Sequence, residues 1–237
     1  MFFDPLYIMI IVVSMILSGA AAWGVKSRFN RGKKVHLYSR LAGHEVADLV
    51  LKQSGIYNVN IIRTSGFLSD YYNPVNHTLA LSPEVYDGTT AAAAGVAAHE
   101  AGHAIQHAHN YAPLWLRSTI LPVANIGSNI GPWLIFIGLF LGVASTFGHF
   151  FVMAGVVLFA GATLFTVITV PVEFNASARA REKLLTLGII HQGEEEAAVK
   201  GVLTAAGLTY VAAAVTSIMM LLYWLLRSGL LGGRNDD

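Results

Sequence analysis

The chain has 237 residues, 54% of them hydrophobic and only 12% charged, with a mean hydropathy of +0.56. That balance excludes an ordinary soluble domain and points to a protein built into a membrane. The net charge of +1 gives no reason to expect a nucleic-acid partner, and the lack of cysteine excludes a disulfide framework or a thiolate metal site.

Leu6–Trp23 is nearly continuously apolar and long enough to span a bilayer. Asp4 precedes it and the basic residues follow it, the reverse of a signal peptide, so the stretch reads as a retained anchor. Next come Lys26, Arg28, Arg31, Lys33, Lys34 and Arg40, which put this side in the cytoplasm and the N-terminus outside. Ser39–Gln53 reads as a short amphipathic helix, with Leu41, Val46, Leu49 and Val50 as core positions and Gly55 as its stop. His44-Glu45 lacks a second histidine, since Asp48 stands at that place, so His44 is expected at the surface. Val59–Arg63 suits a strand, and Ser65–Pro74 a loop rich in turn residues. His77–Ser82 alternates with a period of two, as an edge strand does. Gly88-Thr89-Thr90 then leads into a helix, with Thr89 or Thr90 as its N-cap.

That helix carries the chemistry. Ala91–Ala104 is alanine-rich and free of proline, which favours a helix. Within it, His99-Glu100-Ala101-Gly102-His103 forms an HExxH motif. Residues four apart on a helix lie one above the other, so His99 and His103 point the same way and can share a Zn²⁺. Glu100 lies close enough to act on a metal-bound water.

Three more apolar stretches follow. Leu116–Ala144 contains Pro122, Asn125, Ser128, Asn129 and Pro132, which suit a kinked segment facing protein or water, or polar contacts between packed helices. Phe150–Val170 and Val202–Leu226 are the remaining spans, and 232–237 reads as a loose tail. With four spans and the N-terminus outside, thirteen of the fifteen Lys and Arg fall on the cytoplasmic side.

A catalytic zinc site usually has three protein ligands. His109 lies six residues after His103, as in metzincins, but Gln106 stands where that arrangement has its glycine. Glu173, immediately after the third span, is the stronger candidate: a helix beginning near Pro171 would put Glu173 and Ser177 on one face. An acidic residue is also favourable at a helix start without any ligand role.

HEAGHAIQH, preceded by Ser-Asp-Tyr-Tyr-Asn-Pro and LALSPEVY and followed after a hydrophobic hairpin by VEFNASARA, resembles the YugP-type membrane zinc metallopeptidases. Their layout is similar to the gluzincins of the HtpX and CAAX prenyl protease kind. The resemblance implies a mainly α integral membrane protein with about four transmembrane helices and a small α+β gluzincin-like cytoplasmic domain. It implies His99, His103 and Glu173 as zinc ligands and Glu100 as the catalytic base. The wider relatives carry an Asp four residues after the third ligand, where it orients a ligand histidine. Here Ser177 holds that place, and a hydroxyl is a weaker orienter.

The expected organisation is an anchor (1–25), a protease domain (26–113), a transmembrane hairpin (114–170), a cytoplasmic helix with the third ligand (171–201), a last span (202–228) and a tail (229–237). The expected activity is peptide-bond hydrolysis of membrane or membrane-proximal proteins, in the bacterial plasma membrane with the site on the cytoplasmic side. Partners would be a protein or peptide substrate, the lipid bilayer and other membrane proteins. An extended substrate would pair with the strand formed by Thr78, Leu79, Ala80, Leu81 and Ser82. Tyr71, Tyr72, His77 and Arg63 are available to stabilise an oxyanion. Two rival readings differ in class. A zinc-containing scaffold would not need Glu100, and a transporter would carry more ionisable residues in its spans.

Overall fold

The computed structural model describes residues 4–229. The expected tail at 232–237 lies outside them. The elements in chain order are α1 (Pro5–Gly32), α2 (Gly43–Gln53), β1 (Asn60–Arg63), β2 (Tyr71–Asn73), β3 (Thr78–Leu81), α3 (Pro83–Tyr86), α4 (Ala91–Ala108), α5 (Ala112–Phe140), α6 (Thr146–Thr186) and α7 (Glu194–Arg227). Among the described residues, α1, α5, α6 and α7 are long and apolar enough to cross a membrane. The chain divides into two compact units, and α1, α5, α6 and α7 each contribute residues to both.

The first unit lies within Met1–Gly19, Leu116–Val170 and Tyr210–Asp237. Ile10, Ile135, Val152, Val156, Tyr223 and Trp224 form its buried cluster. Glycine lets α5 and α6 approach closely: a Cβ at Gly127 would lie 2.0 Å from the Leu158 carbonyl oxygen. Ser128 and Asn129 of α5 turn back onto their own helix, Asn129 Nδ2 donating to the Asn125 carbonyl at 2.8 Å. Thr163 Oγ1 and Ser217 Oγ, 2.8 Å apart, link α6 to α7.

The second unit, Ala20–Trp115 with Pro171–Thr209, holds the motif. Thr90 caps α4 by accepting from the Ala93 amide at 3.4 Å. Ala91, Ala92, Ala94, Ala97, Ala98, Ala101 and Ala104 are all buried, so α4 runs through this unit's core. Its small side chains let neighbours pack close. A Cβ at Gly102 would lie 2.6 Å from the Ala176 carbonyl oxygen, so only glycine allows α6 this near to α4. Glycine-to-alanine in a helix interior normally gains about 1 kcal/mol. Here the clash is with backbone, which cannot rotate away, and overpacking of about 1–3 kcal/mol outweighs that gain. Gly102→Ala should therefore lower the melting temperature, and a raised one would disprove the close approach.

The three-stranded sheet has the order β1-β3-β2, with β1 parallel and β2 antiparallel to β3. This corrects two expectations. The stretch 65–74 is not all loop, because Tyr71–Asn73 forms β2. Nor is Thr78, Leu79, Ala80, Leu81, Ser82 an edge segment for substrate. Thr78–Leu81 is the central strand with both edges paired, and Leu79, Ala80 and Leu81 are all fully buried. Ser82 is also taken, donating its amide to Asp70 Oδ1 at 2.7 Å and its hydroxyl to the same atom at 3.0 Å.

Other boundaries shift for physical reasons. α2 starts at Gly43 rather than Ser39, where the Glu45 carboxylate accepts from the Ala42 amide at 2.8 Å. His44 is half-buried rather than at the surface, stacked on Tyr86 with its Nδ1 2.8 Å from the Tyr86 carbonyl. No new helix starts near Pro171. The proline lies inside the 41-residue α6, where it removes one backbone bond while the ladder continues on both sides. Residues 171–201 are not one helix either. The break falls at Leu187–Gly193, where Gly188 and Gly193 have positive φ, and α7 begins with Glu194, Glu195 and Glu196.

Candidate metal centre

The site is assembled from two helices of the second unit. α4 supplies His99 and His103, and α6 supplies Glu173. One ligand atom from each lies within 4.8 Å of the others, a group that could hold a metal ion. Glu173 Oε2 is 3.2 Å from His99 Nε2 and 3.5 Å from His103 Nε2. The two imidazole rings stand 4.7 Å apart at 81°, and Glu173 is only 2% exposed. Two imidazole nitrogens and a carboxylate oxygen are a donor set that fits zinc, which in catalytic sites takes a water or substrate as its fourth ligand.

The outward-facing nitrogens are held as well. Ser177 Oγ lies 3.1 Å from His99 Nδ1. His103 Nδ1 lies 3.0 Å from Gln106 Oε1. The Gln106 amide group donates to the Val172 carbonyl at 2.8 Å and to Asn175 Oδ1 at 3.0 Å, which turns its oxygen towards His103. His103 is thereby the donor at Nδ1, which leaves Nε2, the nitrogen facing Glu173, as its metal-binding atom. Arg179 Nε closes the network on Asn175 Oδ1 at 2.8 Å, and its guanidinium lies 5.8 Å from the centre of the Tyr111 ring.

Glu100 is 8% exposed and is not one of the three converging donors. Burial raises its carboxyl above the ordinary value; the His99 and His103 charges pull the other way, and Asp70 and Glu173 add to the rise. A base for neutral-pH chemistry needs a shift in this direction.

His109 sits at the C-cap of α4, exposed and outside the ligand group. Of the oxyanion candidates, Arg63 is paired with Asp87 at 2.8 Å. The Tyr72 hydroxyl lies 3.0 Å from His107 Nδ1 and 3.5 Å from His77 Nδ1. Tyr71 is exposed on β2.

The sequence profile of the family described as "Putative neutral zinc metallopeptidase" matches residues 7–229. The chain belongs to this family. A relative from Bacillus subtilis (strain 168), "Putative membrane protease YugP", is 40% identical over 232 residues, 98% of this chain and 100% of the relative. No solved structure matches the chain.

At this site, sequence reasoning missed Gln106, which it read as the position of an absent glycine. The available signal was its spacing. Three residues after His103 on a continuous helix, a side chain returns to the same face. Outer hydrogen bonds of this kind orient a metal-binding histidine, and losing one costs roughly 10–100-fold in metal affinity. Gln106→Ala should weaken zinc binding by that amount, read by competition with a chelator of known affinity. Unchanged affinity would show that His103 is oriented without it.

Proposed function

We propose that this protein is a membrane-anchored zinc endopeptidase that cuts membrane or membrane-proximal proteins at the cytoplasmic face of the bacterial plasma membrane. The observation that carries the reading is a buried carboxylate, Glu100, between two histidines whose Nε2 atoms converge with Glu173. The family description and the name of the Bacillus relative support it. The basic residues, thirteen of fifteen at 26–117 and 179–200, support the orientation.

His99, His103 and Glu173 would hold the zinc. When bound there, zinc supplies Lewis acidity to a peptide carbonyl and to water. Glu100 takes the proton from the attacking water and returns it to the leaving amine. Ser177 and Gln106 keep the two imidazoles from rotating. Among the described residues, β1 and β2 are the outer strands of the sheet, where an extended substrate would add. β2 packs against α4, so a peptide added along Tyr71–Asn73 would lie beside the motif helix.

Membrane vesicles of both orientations carrying the full-length protein test the reading. Casein or a quenched peptide added outside should be cut by inverted vesicles and not by right-side-out ones. Chelation should abolish cleavage and zinc should restore it. Backbone N-methylation beside the cut site, which removes strand pairing and spares the side chains, should raise KM. Cleavage that survives metal removal would sink the mechanism, and cleavage by right-side-out vesicles would reverse the orientation.

A further inference from the structure

The last turns of α1 have two faces with different tasks. On one, Phe29 is 1% exposed and Gly32 presses on α4, where a Cβ would lie 3.1 Å from the Ala92 Cβ. On the other, Trp23, Lys26, Ser27, Asn30, Arg31 and Lys34 line one cleft of about 440 Å³. Trp23, Ser27, Asn30 and Arg31 are spaced four, seven and eight residues along the helix, which is a single stripe. Lys26, Asn30, Arg31 and Lys34 are exposed, and Trp23 is 72% exposed.

Among the described residues, Lys26, Arg31 and Lys34 make no ion pair, whereas the adjacent Lys33 is held by Glu84 at 3.1 Å. Three unneutralised cations, a hydroxyl and an amide around one concavity suit the oxygens of a phosphate. The indole decides between a free anion and a lipid. It stands where the apolar run of α1 ends, the place an aromatic side chain takes at a membrane interface, and a soluble anion would leave it uncovered.

We propose that this cleft binds the headgroup phosphate of an anionic glycerophospholipid, with Trp23 covering the glycerol and upper acyl region. Phe29 and Gly32 tie the same turns to the core of the second unit, so a headgroup held here is fixed to the helix that carries His99 and His103.

The test is native mass spectrometry of the full-length protein in detergent, titrated with phosphatidylglycerol or phosphatidylcholine. A basic residue near an anionic lipid surface contributes about fivefold in affinity. The triple variant K26Q/R31Q/K34Q should therefore lose phosphatidylglycerol retention by at least about tenfold. A charge-matched control, K52Q/R63Q/K183Q, should not. Trp23→Ala keeps every charge and should also weaken retention. Equal loss in the two triple variants would show bulk charge alone, and absence of any phosphatidylglycerol preference in the wild type would overturn the site. Unchanged retention by Trp23→Ala, or full displacement of lipid by inorganic phosphate, would make it a free-anion site. Lipid retention is read without peptide cleavage, so failure here is distinct from failure of the peptidase reading.

Discussion

Glu100→Gln is expected to keep its zinc and its fold while losing peptide cleavage by roughly 10²–10⁴-fold, the usual share of a general acid–base group. That range corresponds to about 3–5 kcal/mol of barrier. The amide has the same shape as the carboxylate, so packing around this buried position survives. The three converging donors are His99, His103 and Glu173, so the metal set stays whole. What is lost is an oxygen that can take a proton. Metal content by atomic absorption and cleavage of a quenched peptide separate the two effects. Wild-type cleavage by the variant would remove Glu100 from the chemistry, and an empty site would make it a ligand.

The chemistry was legible because it is local. Histidines four apart share a helix face whatever surrounds them, and an alanine-rich run capped by Thr90 had little alternative to a helix. The four apolar helices were legible from composition, since a span needs only length and hydropathy. The sheet order was not, because pairing depends on residues far apart in sequence. Leu79-Ala80-Leu81 reads as alternation only if Ala80 faces solvent, and a small apolar residue gives no sign of which way it points. The structure buries all three. The extent of α6 was hidden for another reason. Pro171 is a good helix starter, and nothing in the nearby sequence says that the preceding turns are already helical and continuous with it. Gln106 was visible but misread, because it was judged against a glycine that another architecture needs.

Glu173→Ala should empty the metal site and abolish activity together, while His109→Ala should spare both. The argument is geometric. α4 continues unbroken to Ala108, so His109 comes about 9 Å further along the axis than His103 and roughly a third of a turn out of line with it. It could reach the metal only if the helix broke between them, and Ala104, Ile105 and Gln106 are all buried in helix. Glu173 arrives from α6 instead, its Oε2 3.2 and 3.5 Å from the two Nε2 atoms. Gly102 lets α6 come close enough for that approach. Removing a direct ligand should cost more than the roughly 10–100-fold expected for an outer hydrogen bond, so the loss should exceed that of Gln106→Ala. Glu173→Gln, which preserves the side-chain volume, guards against a packing explanation and should also bind zinc poorly. Metal content, chelator competition and a thermal melt on each variant make the comparison. If His109→Ala empties the site and Glu173→Ala does not, the helix must break after His103 and the ligand set is the metzincin one.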